Sequence, residues 1–338
     1  MRTSSARQQS SRPRILLIMI LAFCFVLGVA GILVTYLLVY RGQGSSQRIN
    51  TQPIARPVHS TPARINFDID KAMSHVNFLA GNIGDREEGT AGEKMAGDYI
   101  KQCLRGYGYS PVEQPVFVKT TGRTGYNVIA RLSGSVKPER IIVVGAHMDS
   151  IGGPGANDNA TGCGVLLEIA RVLKNNQDQA SGIEFVFFCG EEIARDGGRD
   201  DDHWGSRLFV NSLSPKEKEA IGGMVCVDMV GEGPELRARN IGLASPVIRD
   251  MMLGFGANRG IMFLADTSSA GNSDHEAFEK SGIPYVWLEY GECPVHHKQG
   301  DTVTAVDVAH VQNVGLMMQG FFEDYLTSER LAELPVRQ

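Results

Sequence analysis

Apolar residues near the start of the chain form one unbroken run. Positions 15–40 are 26 residues without a charged side chain. At 1.5 Å per residue, a helix of that length is roughly 39 Å long, enough to cross a hydrocarbon core of about 30 Å. A cleavable signal peptide has a shorter apolar core of about 7–15 residues. The pattern therefore predicts an uncleaved transmembrane helix at 15–40.

The residues that flank this run suggest an orientation. Arginines before the run slightly outnumber those after it, and positive charge favours the cytoplasmic side of a membrane. The four that precede it and the three that follow it are Arg2, Arg7, Arg12 and Arg14, then Arg41, Arg48 and Arg56. We expect a cytoplasmic tail at 1–14 and a single-pass cell-membrane protein whose remaining chain is extracytoplasmic. Residues 41–64 are rich in Gly, Ser, Gln and Pro without an apolar period, which predicts a flexible linker.

From residue 65 onward, short apolar runs alternate with amphipathic stretches. The runs, rich in β-branched and aromatic residues, predict buried strands at 127–132, 141–145, 183–188, 224–227 and 284–288. The amphipathic stretches predict helices at 68–80, 91–106, 160–174, 215–220, 246–254 and 305–326. Strands that alternate with helices indicate an α/β fold, here a three-layer sandwich with a mostly parallel central sheet. We expect a single domain at 65–330 and a C-terminal tail at 331–338.

Composition narrows the function classes. The formal charge is −5 and hydrophobic residues make up 43% of the chain, so neither the basic surface of a nucleic-acid-binding protein nor wholesale disorder is indicated. The six cysteines include no CxxC pair, so a thiolate zinc site is not indicated. Any metal chemistry must therefore come from imidazoles and carboxylates.

Such residues follow the predicted strands. In open α/β sheets, ligands bind beyond the carboxyl ends of the strands. Four of the predicted strands are followed by such residues, which are His147 and Asp149, then Glu191 and Glu192, then Asp228, and finally His296 and His297. The loop after the first of these four strands adds Asp158. A lone Asp at a helix N-terminus is usually a cap, and a lone His after a strand is usually structural. Their joint occurrence at one sheet edge instead predicts a metal site.

The donor types indicate which metal and how many. Imidazole and carboxylate without thiolate suit catalytic zinc. Three carboxylates (Asp158, Glu192 and Asp228) together with one hydroxide would balance two divalent cations. Zinc lowers the pKa of bound water to roughly 7 and so supplies a nucleophile at neutral pH. The residues thus predict a hydrolase with two zinc ions per chain.

At this point the sequence resembles the zinc-dependent exopeptidases that include bacterial leucyl aminopeptidase and aminopeptidase Y. The resemblance covers most of 65–325. It depends on six motifs, which are His147-Met148-Asp149-Ser150, the stretch from Gly155 to Gly162, Gly190-Glu191-Glu192, Val227-Asp228-Met229, Ser273-Asp274-His275 followed by Phe278 and Gly282-Ile283-Pro284, and His297 four residues before Asp301-Thr302.

The resemblance implies a role for each of these side chains. One zinc ion would be held by His147 and Asp228, the other by Glu192 and His297, with Asp158 bridging the two. Asp149 would orient the imidazole of His147, and Glu191 would be the general base. The family spacing favours His297 over its neighbour His296. Asp274 and His275 match the family without an assigned role, and a structural network is as good an interpretation.

One departure from the family keeps alternatives open. The twelve residues after Glu192, IARDGGRDDDHW, form a longer connection than simple aminopeptidases of the family have. Asp200–Asp202 are predicted to form a solvated loop, with a pocket wall including Trp204 or a separate cation site as alternatives. Glutaminyl cyclases, which resemble this family in fold and use a single zinc, have a loop of comparable length. The complete set of five ligands and the absence of a tryptophan immediately before His297 count against that alternative.

A catalytically silent binding ectodomain, similar to those of transferrin-receptor-like proteins, is a further alternative. Those proteins lose metal ligands, whereas all five are present here together with Glu191. The expected function is a membrane-anchored metallo-aminopeptidase that acts on peptides outside the cytoplasm.

Overall fold

The computed structural model describes residues 64–132, 140–176, 182–192, 202–268 and 272–334. The predicted cytoplasmic tail, the span at 15–40 and all but the last residue of the linker at 41–64 lie outside these residues. Among the helices that the structure describes, none is long and apolar enough to cross a membrane.

The described strands form one eight-stranded sheet. In chain order they are β1 Val112–Val118, β2 Arg123–Leu132, β3 Ile141–His147, β4 Ile183–Phe188, β5 Ile221–Val227, β6 Leu236–Arg239, β7 Leu264–Asp266 and β8 Tyr285–Tyr290. Their order across the sheet is β1-β2-β4-β3-β5-β8-β6-β7. The four central strands, β4, β3, β5 and β8, run parallel to one another. β1 pairs antiparallel with β2, β2 with β4, and β6 with β8, whereas β6 and β7 are parallel.

Helices cover both faces of this sheet. They are α1 Ile69–Val76, α2 Ala91–Gly106, α3 Gly162–Asn175, α4 Trp204–Ser212, α5 Pro215–Ala220, α6 Val247–Ala257, α7 His275–Lys280, α8 Val308–Gly320 and α9 Ser328–Ala332. Short π-helical segments lie at Asn77–Ile83, Ala156–Thr161 and Phe321–Tyr325. A single 3-10 turn lies at Val303–Ala305.

Successive residues of the central strands enter two different cores. Val144 packs in the larger core with α1, α2, α3, α6 and α8, whereas its neighbour Val143 packs in the smaller core with α4 and α7. This alternation follows from the two-residue period of a strand. Because both faces are covered, β3, β4, β5 and β8 are buried along their whole length, as the continuous apolar runs predicted. The three-layer α/β sandwich is confirmed.

The sheet has a parallel centre with antiparallel pairs on both sides. The sequence predicted the central strands and part of β2 but missed β1, β6 and β7. β1 contains Pro115 and is largely exposed, as suits an edge strand. β6 reads LRAR and β7 has three residues, so neither offers an apolar run. At the other end of the chain, Leu331 and Leu334 pack in the larger core, so the packed region extends beyond residue 330.

Candidate active site

The parallel central strands bring the predicted metal ligands to one edge of the sheet. His147 is the last residue of β3, and Asp228 directly follows β5. Glu191 follows β4 by three residues, and His297 follows β8 by seven. His147, Asp228, Glu191 and the loop residue Asp158 are buried, whereas His297 is exposed. The site therefore has a buried carboxylate floor and an imidazole at its open side.

One group of donors surrounds the imidazole of His147. Its Nε2 atom lies 3.1 Å from Asp158 Oδ1, 3.2 Å from Asp228 Oδ1 and 4.0 Å from Glu191 Oε2. On the other side of the ring, Nδ1 lies 3.5 Å from Asp149 Oδ1. Asp149 also accepts a hydrogen bond of 3.0 Å from the backbone N–H of Glu192 through Oδ2. Asp149 is therefore in position to orient His147, as the resemblance implied.

A second group of donors lies on the other side of Asp158. His297 Nε2 is 2.8 Å from Glu192 Oε2 and 3.3 Å from Asp158 Oδ2. His296 Nε2 is also 3.2 Å from Asp158 Oδ2, and the two imidazole rings lie 3.7 Å apart. His297 thus contacts both Glu192 and Asp158, and its assignment as the ligand in preference to His296 stays a prediction.

The loop that carries Asp158 is fixed by backbone hydrogen bonds. The Asp301 carboxylate accepts from the N–H groups of Asn157 (2.7 Å) and Asp158 (3.0 Å), and the peptide bond between Asp158 and Asn159 is cis. Gly155 has a φ of +56°, which glycine adopts without strain. A Cβ at this position would also overlap the Asp158 carbonyl oxygen. Asp158 thus keeps one oxygen toward each group of donors.

Two further glycines, Gly152 and Gly153, lie where the segment before Asp158 contacts the loop that carries His297. A Cβ on Gly152 would overlap the carbonyl oxygen of His297, and a Cβ on Gly153 would overlap that of Lys298. The Gln299 side-chain amide donates to the Gly152 carbonyl at 3.0 Å. The two loops are therefore in backbone contact.

Charge and hydrogen bonding show that this donor set suits divalent cations. Glu192 Oε1 is buried without a hydrogen-bond partner. Burial, together with the nearby Asp158 carboxylate, raises the pKa of Glu192 well above its usual value. Burial lowers the pKa of His147, but Glu191 and Asp228 outweigh it and raise that pKa well above the ordinary range. Both shifts come from an excess of buried negative charge, which bound cations would neutralise.

The grouping of donor atoms supports the same interpretation. Single ligand atoms of His147, Asp158 and Glu192 lie within 4.8 Å of one another. The same holds for Asp158 with the two adjacent histidines, His296 and His297. These are candidate metal-binding groups of imidazole and carboxylate, the donor types that zinc accepts.

Comparison with known proteins decides the family. The model of peptidase family M28 matches residues 127–322, which include every residue of the site described above. The chain belongs to peptidase family M28. The family predicted from the motifs is thus confirmed.

Three relatives illustrate its neighbourhood. It is 30% identical over 237 residues to leupeptin-inactivating enzyme 1 of Streptomyces exfoliatus, covering 67% of this chain and 50% of that protein. It thus spans about half the length of that curated relative. The solved zinc aminopeptidase BSAP of Bacillus subtilis has a TM-score of 0.65 at 19% identity, over 76% and 94% of the two chains. The glutaminyl cyclase of Porphyromonas gingivalis has a TM-score of 0.66 at 25% identity, over 77% and 99%.

Arg86 supports the site and was not singled out from the sequence. It is fully buried, and its guanidinium donates to five backbone carbonyls. The acceptors are Met148 (2.9 Å), Leu79 (3.1 Å), Gly84 (2.8 Å), Pro154 and Gly155 (2.9 Å). Two of these residues adjoin the loops that carry His147 and Asp158. Arg86 therefore fastens both loops of the M28 peptidase to the turn that follows α1.

We expect Arg86→Met to lower the free energy of unfolding by at least about 3 kcal/mol, because several buried carbonyls lose a charged donor. Urea unfolding, with Arg123→Met as the control, measures this. Arg123 is half exposed, and its nearest carboxylate, Glu88, lies at 3.8 Å. Equal small losses in both variants would mean that the Arg86 hydrogen bonds contribute little.

His203 is the second residue that sequence analysis did not assign. It is the penultimate residue of the long connection after Glu192, is buried, and has its Nε2 atom 3.0 Å from Glu191 Oε1. Its neighbour Asp202 is also buried and lies 2.6 Å from Arg207. The prediction of a solvated loop is therefore wrong for Asp202, because an ion pair compensates its burial.

Asp274 and His275 form part of the packed layer beneath the site. Both are buried at the start of α7, and burial raises the pKa of Asp274 to about 8. The His275 ring is stacked between Tyr285 and Trp287, with centroid separations of 4.8 and 4.7 Å. These contacts favour the structural interpretation of the pair.

His275 should make the M28 peptidase less stable in acid. Burial, and then the positive charges of His203 and Arg239, lower the pKa of His275 to about 3. Below pH 6.5 the unfolded chain binds a proton here that the folded chain does not. Stability should therefore fall by up to about 1.4 kcal/mol per pH unit from pH 6.5 down to pH 3.

The measurement is urea unfolding at pH 7 and pH 5. His275→Phe keeps a stacked ring and should reduce the pH dependence by that amount. His75, whose pKa burial lowers to about 4, should preserve part of the slope in the variant. An unchanged slope in His275→Phe would contradict a neutral buried imidazole.

Proposed function

We propose that this chain is a membrane-anchored zinc aminopeptidase that removes N-terminal residues from peptides with a co-catalytic pair of zinc ions. The observation that carries the proposal is the position of Asp158. One of its oxygens faces His147 and the other faces His297, so that this carboxylate lies between two groups of donors.

The residues present fit two ions. His147 and Asp228 would hold one, Glu192 and His297 would hold the other, and Asp158 would contribute to both. When bound, zinc polarises a carbonyl group and lowers the pKa of water. The excess of buried carboxylates over nearby cationic side chains supports two ions better than one.

The side chains of this chain would handle the proton. Water oxygen attacks the carbonyl carbon of the first peptide bond, and Glu191 Oε2, which lies toward His147, accepts the proton that water loses. Glu191 then returns a proton to the nitrogen of the leaving amine as the C–N bond breaks. Asp149 holds the His147 ring throughout. The products are one free amino acid and a peptide shortened by one residue.

The membrane anchor rests on the apolar run at 15–40. With residues 1–14 in the cytoplasm, the domain would act on peptides on the outer side of the cell membrane. Resistance of the full-length chain to extraction by alkaline carbonate supports the anchor, whereas complete release into the soluble fraction contradicts it.

Cyclisation of N-terminal glutamine is the second candidate. The likeness to the cyclase of Porphyromonas gingivalis and the long connection between Glu192 and Gly205 favour it. A cyclase would release ammonia from a glutaminyl peptide and leave the chain length unchanged, and the cyclases that the sequence resembles use a single zinc.

Product masses and zinc content separate the candidates. The purified full-length chain is incubated with aminoacyl anilides and with glutaminyl peptides, with and without zinc. Release of the first residue with about two zinc ions per chain supports the aminopeptidase. A mass loss of about 17 Da, with one zinc ion, identifies a cyclase instead. The absence of both turnover and bound zinc would indicate a binding domain. Activity that persists in the presence of a chelator would contradict metal catalysis.

A further inference from the structure

We propose that His203 is a positioning residue that holds the general base Glu191 by one oxygen and leaves the other free for the attacking water. The inference rests on the proposed function, because it assigns a role to a residue that would act through Glu191. The inference assigns a function to the long connection after Glu192, which is to place the His203 imidazole beside the general base.

The backbone fixes His203 beside Glu191. Its N–H donates to the Glu191 carbonyl at 3.0 Å, and the next two residues continue the pairing, with Trp204 donating to Gly190 at 2.8 Å and Gly205 to Cys189 at 3.0 Å. His203 itself has a φ of +51°, a left-handed conformation that is uncommon for a residue with a Cβ. The segment that starts α4 is therefore aligned with the segment that carries the base.

The side chain completes this arrangement. His203 Nε2 lies 3.0 Å from Glu191 Oε1, and Nδ1 lies 3.4 Å from Asp202 and 3.5 Å from Glu276. Carboxylates face both nitrogens, an arrangement that favours a proton on each of them. Burial lowers the pKa of His203, but Glu191, Asp202 and Glu276 outweigh it and raise that pKa to about 12.

A cation site is the rival interpretation of this cluster. Ligand atoms of Asp202, His203 and Glu276 do lie close enough to hold a metal. The guanidinium of Arg207, however, lies 2.6 Å from Asp202 and 2.9 Å from Glu276. The two carboxylates thus already have a positive partner, and the cluster acts as a support that fixes the His203 ring.

The geometry divides the work of the Glu191 carboxylate between its two oxygens. Oε1 accepts from His203, whereas Oε2 lies on the side of His147 at 4.0 Å. A base that is fixed through one oxygen cannot rotate away from the reacting water. A catalytic group that is held in its reactive orientation gives a faster reaction than one that samples several orientations. Loss of the His203 contact should therefore lower kcat and leave KM nearly unchanged.

Two substitutions separate positioning from packing. His203→Gln places an amide N–H near the position of Nε2, whereas His203→Met fills the space without a donor. We expect His203→Met to lower kcat by about 10- to 100-fold with KM within about twofold, and His203→Gln to recover most of the loss. Zinc content should equal that of the wild type. His310→Met, which removes an imidazole stacked on Tyr290 rather than one bound to Glu191, is the matched control.

Three outcomes overturn the inference. They are an unchanged kcat in His203→Met, equal losses in the Gln and Met variants, and a loss matched by His310→Met. The assay uses whichever substrate the wild type accepts, since Glu191 would be the base in either reaction.

A spectroscopic measurement keeps the inference separate from the proposed function. In the full-length chain with ¹⁵N-labelled histidine, we expect both ring nitrogens of His203 to be protonated at pH 7. We also expect the Nε2 signal to move when Glu191 is replaced by Gln. An unprotonated Nε2, or a signal that does not respond to Glu191→Gln, overturns the inference. If the wild type turns over neither substrate, the proposed function fails and these spectra alone decide on His203.

Discussion

Glu191→Gln is expected to lower kcat by about 10²- to 10⁴-fold while the zinc content remains that of the wild type. The amide has nearly the shape of the carboxylate and can still contact His203, but it cannot take a proton from water. A positioned general base contributes about this factor to the rate. Release of the first residue from an aminoacyl anilide gives kcat, and elemental analysis gives the zinc content.

Glu184→Gln is the matched control for this substitution. Glu184 is also a buried glutamate, but it lies within β4 and pairs with Arg131 at 3.0 Å. We expect the control to keep nearly full activity. Near-normal activity of Glu191→Gln would contradict its assignment as the base, and loss of zinc in that variant would make Glu191 a ligand instead.

Asp158→Ala is expected to lower the zinc content from about two ions per chain to one or fewer and the activity by more than about 10²-fold. Asp158 lies against imidazoles on both sides of the site, so its loss would affect both ions. Loss of an outer residue that merely orients a ligand already costs 10- to 100-fold, and a shared ligand should cost more.

The control for Asp158→Ala is Asp98→Ala. Asp98 is an exposed residue of α2 that pairs with lysines. It should change neither the zinc content nor the activity. If Asp158→Ala kept two zinc ions, the shared position assigned to this carboxylate would be wrong.

The sheet edge could be predicted from sequence because its signals are local. Each central strand is a largely apolar run, and the fold brings together the polar residues that end or follow these strands. His147, at the end of β3, and Asp228, directly after β5, follow this rule. If the strands are parallel, these residues are expected to lie close together, because the carboxyl ends of parallel strands meet at one edge of the sheet.

The supporting residues could not be found in that way. Arg86 donates to backbone carbonyls. Because every residue has a backbone carbonyl, the sequence does not show which residues Arg86 contacts. His203 lies in a polar stretch without a period and reaches Glu191 only because the backbone pairs there. β6 has four residues, too few for an alternating pattern of apolar residues to be recognised, and it joins the sheet by antiparallel pairing with β8. In each case the deciding contact is between segments that are distant in sequence or have no apolar signal.

The glycines at 152 and 153 allow the two loops of the site to lie in backbone contact. A Cβ on Gly152 would overlap the carbonyl oxygen of His297, and a Cβ on Gly153 would overlap that of Lys298, so a side chain at either position would push the loops apart. A single alanine at 152 would act as a wedge, displacing the His297 imidazole without altering any side chain that touches a peptide.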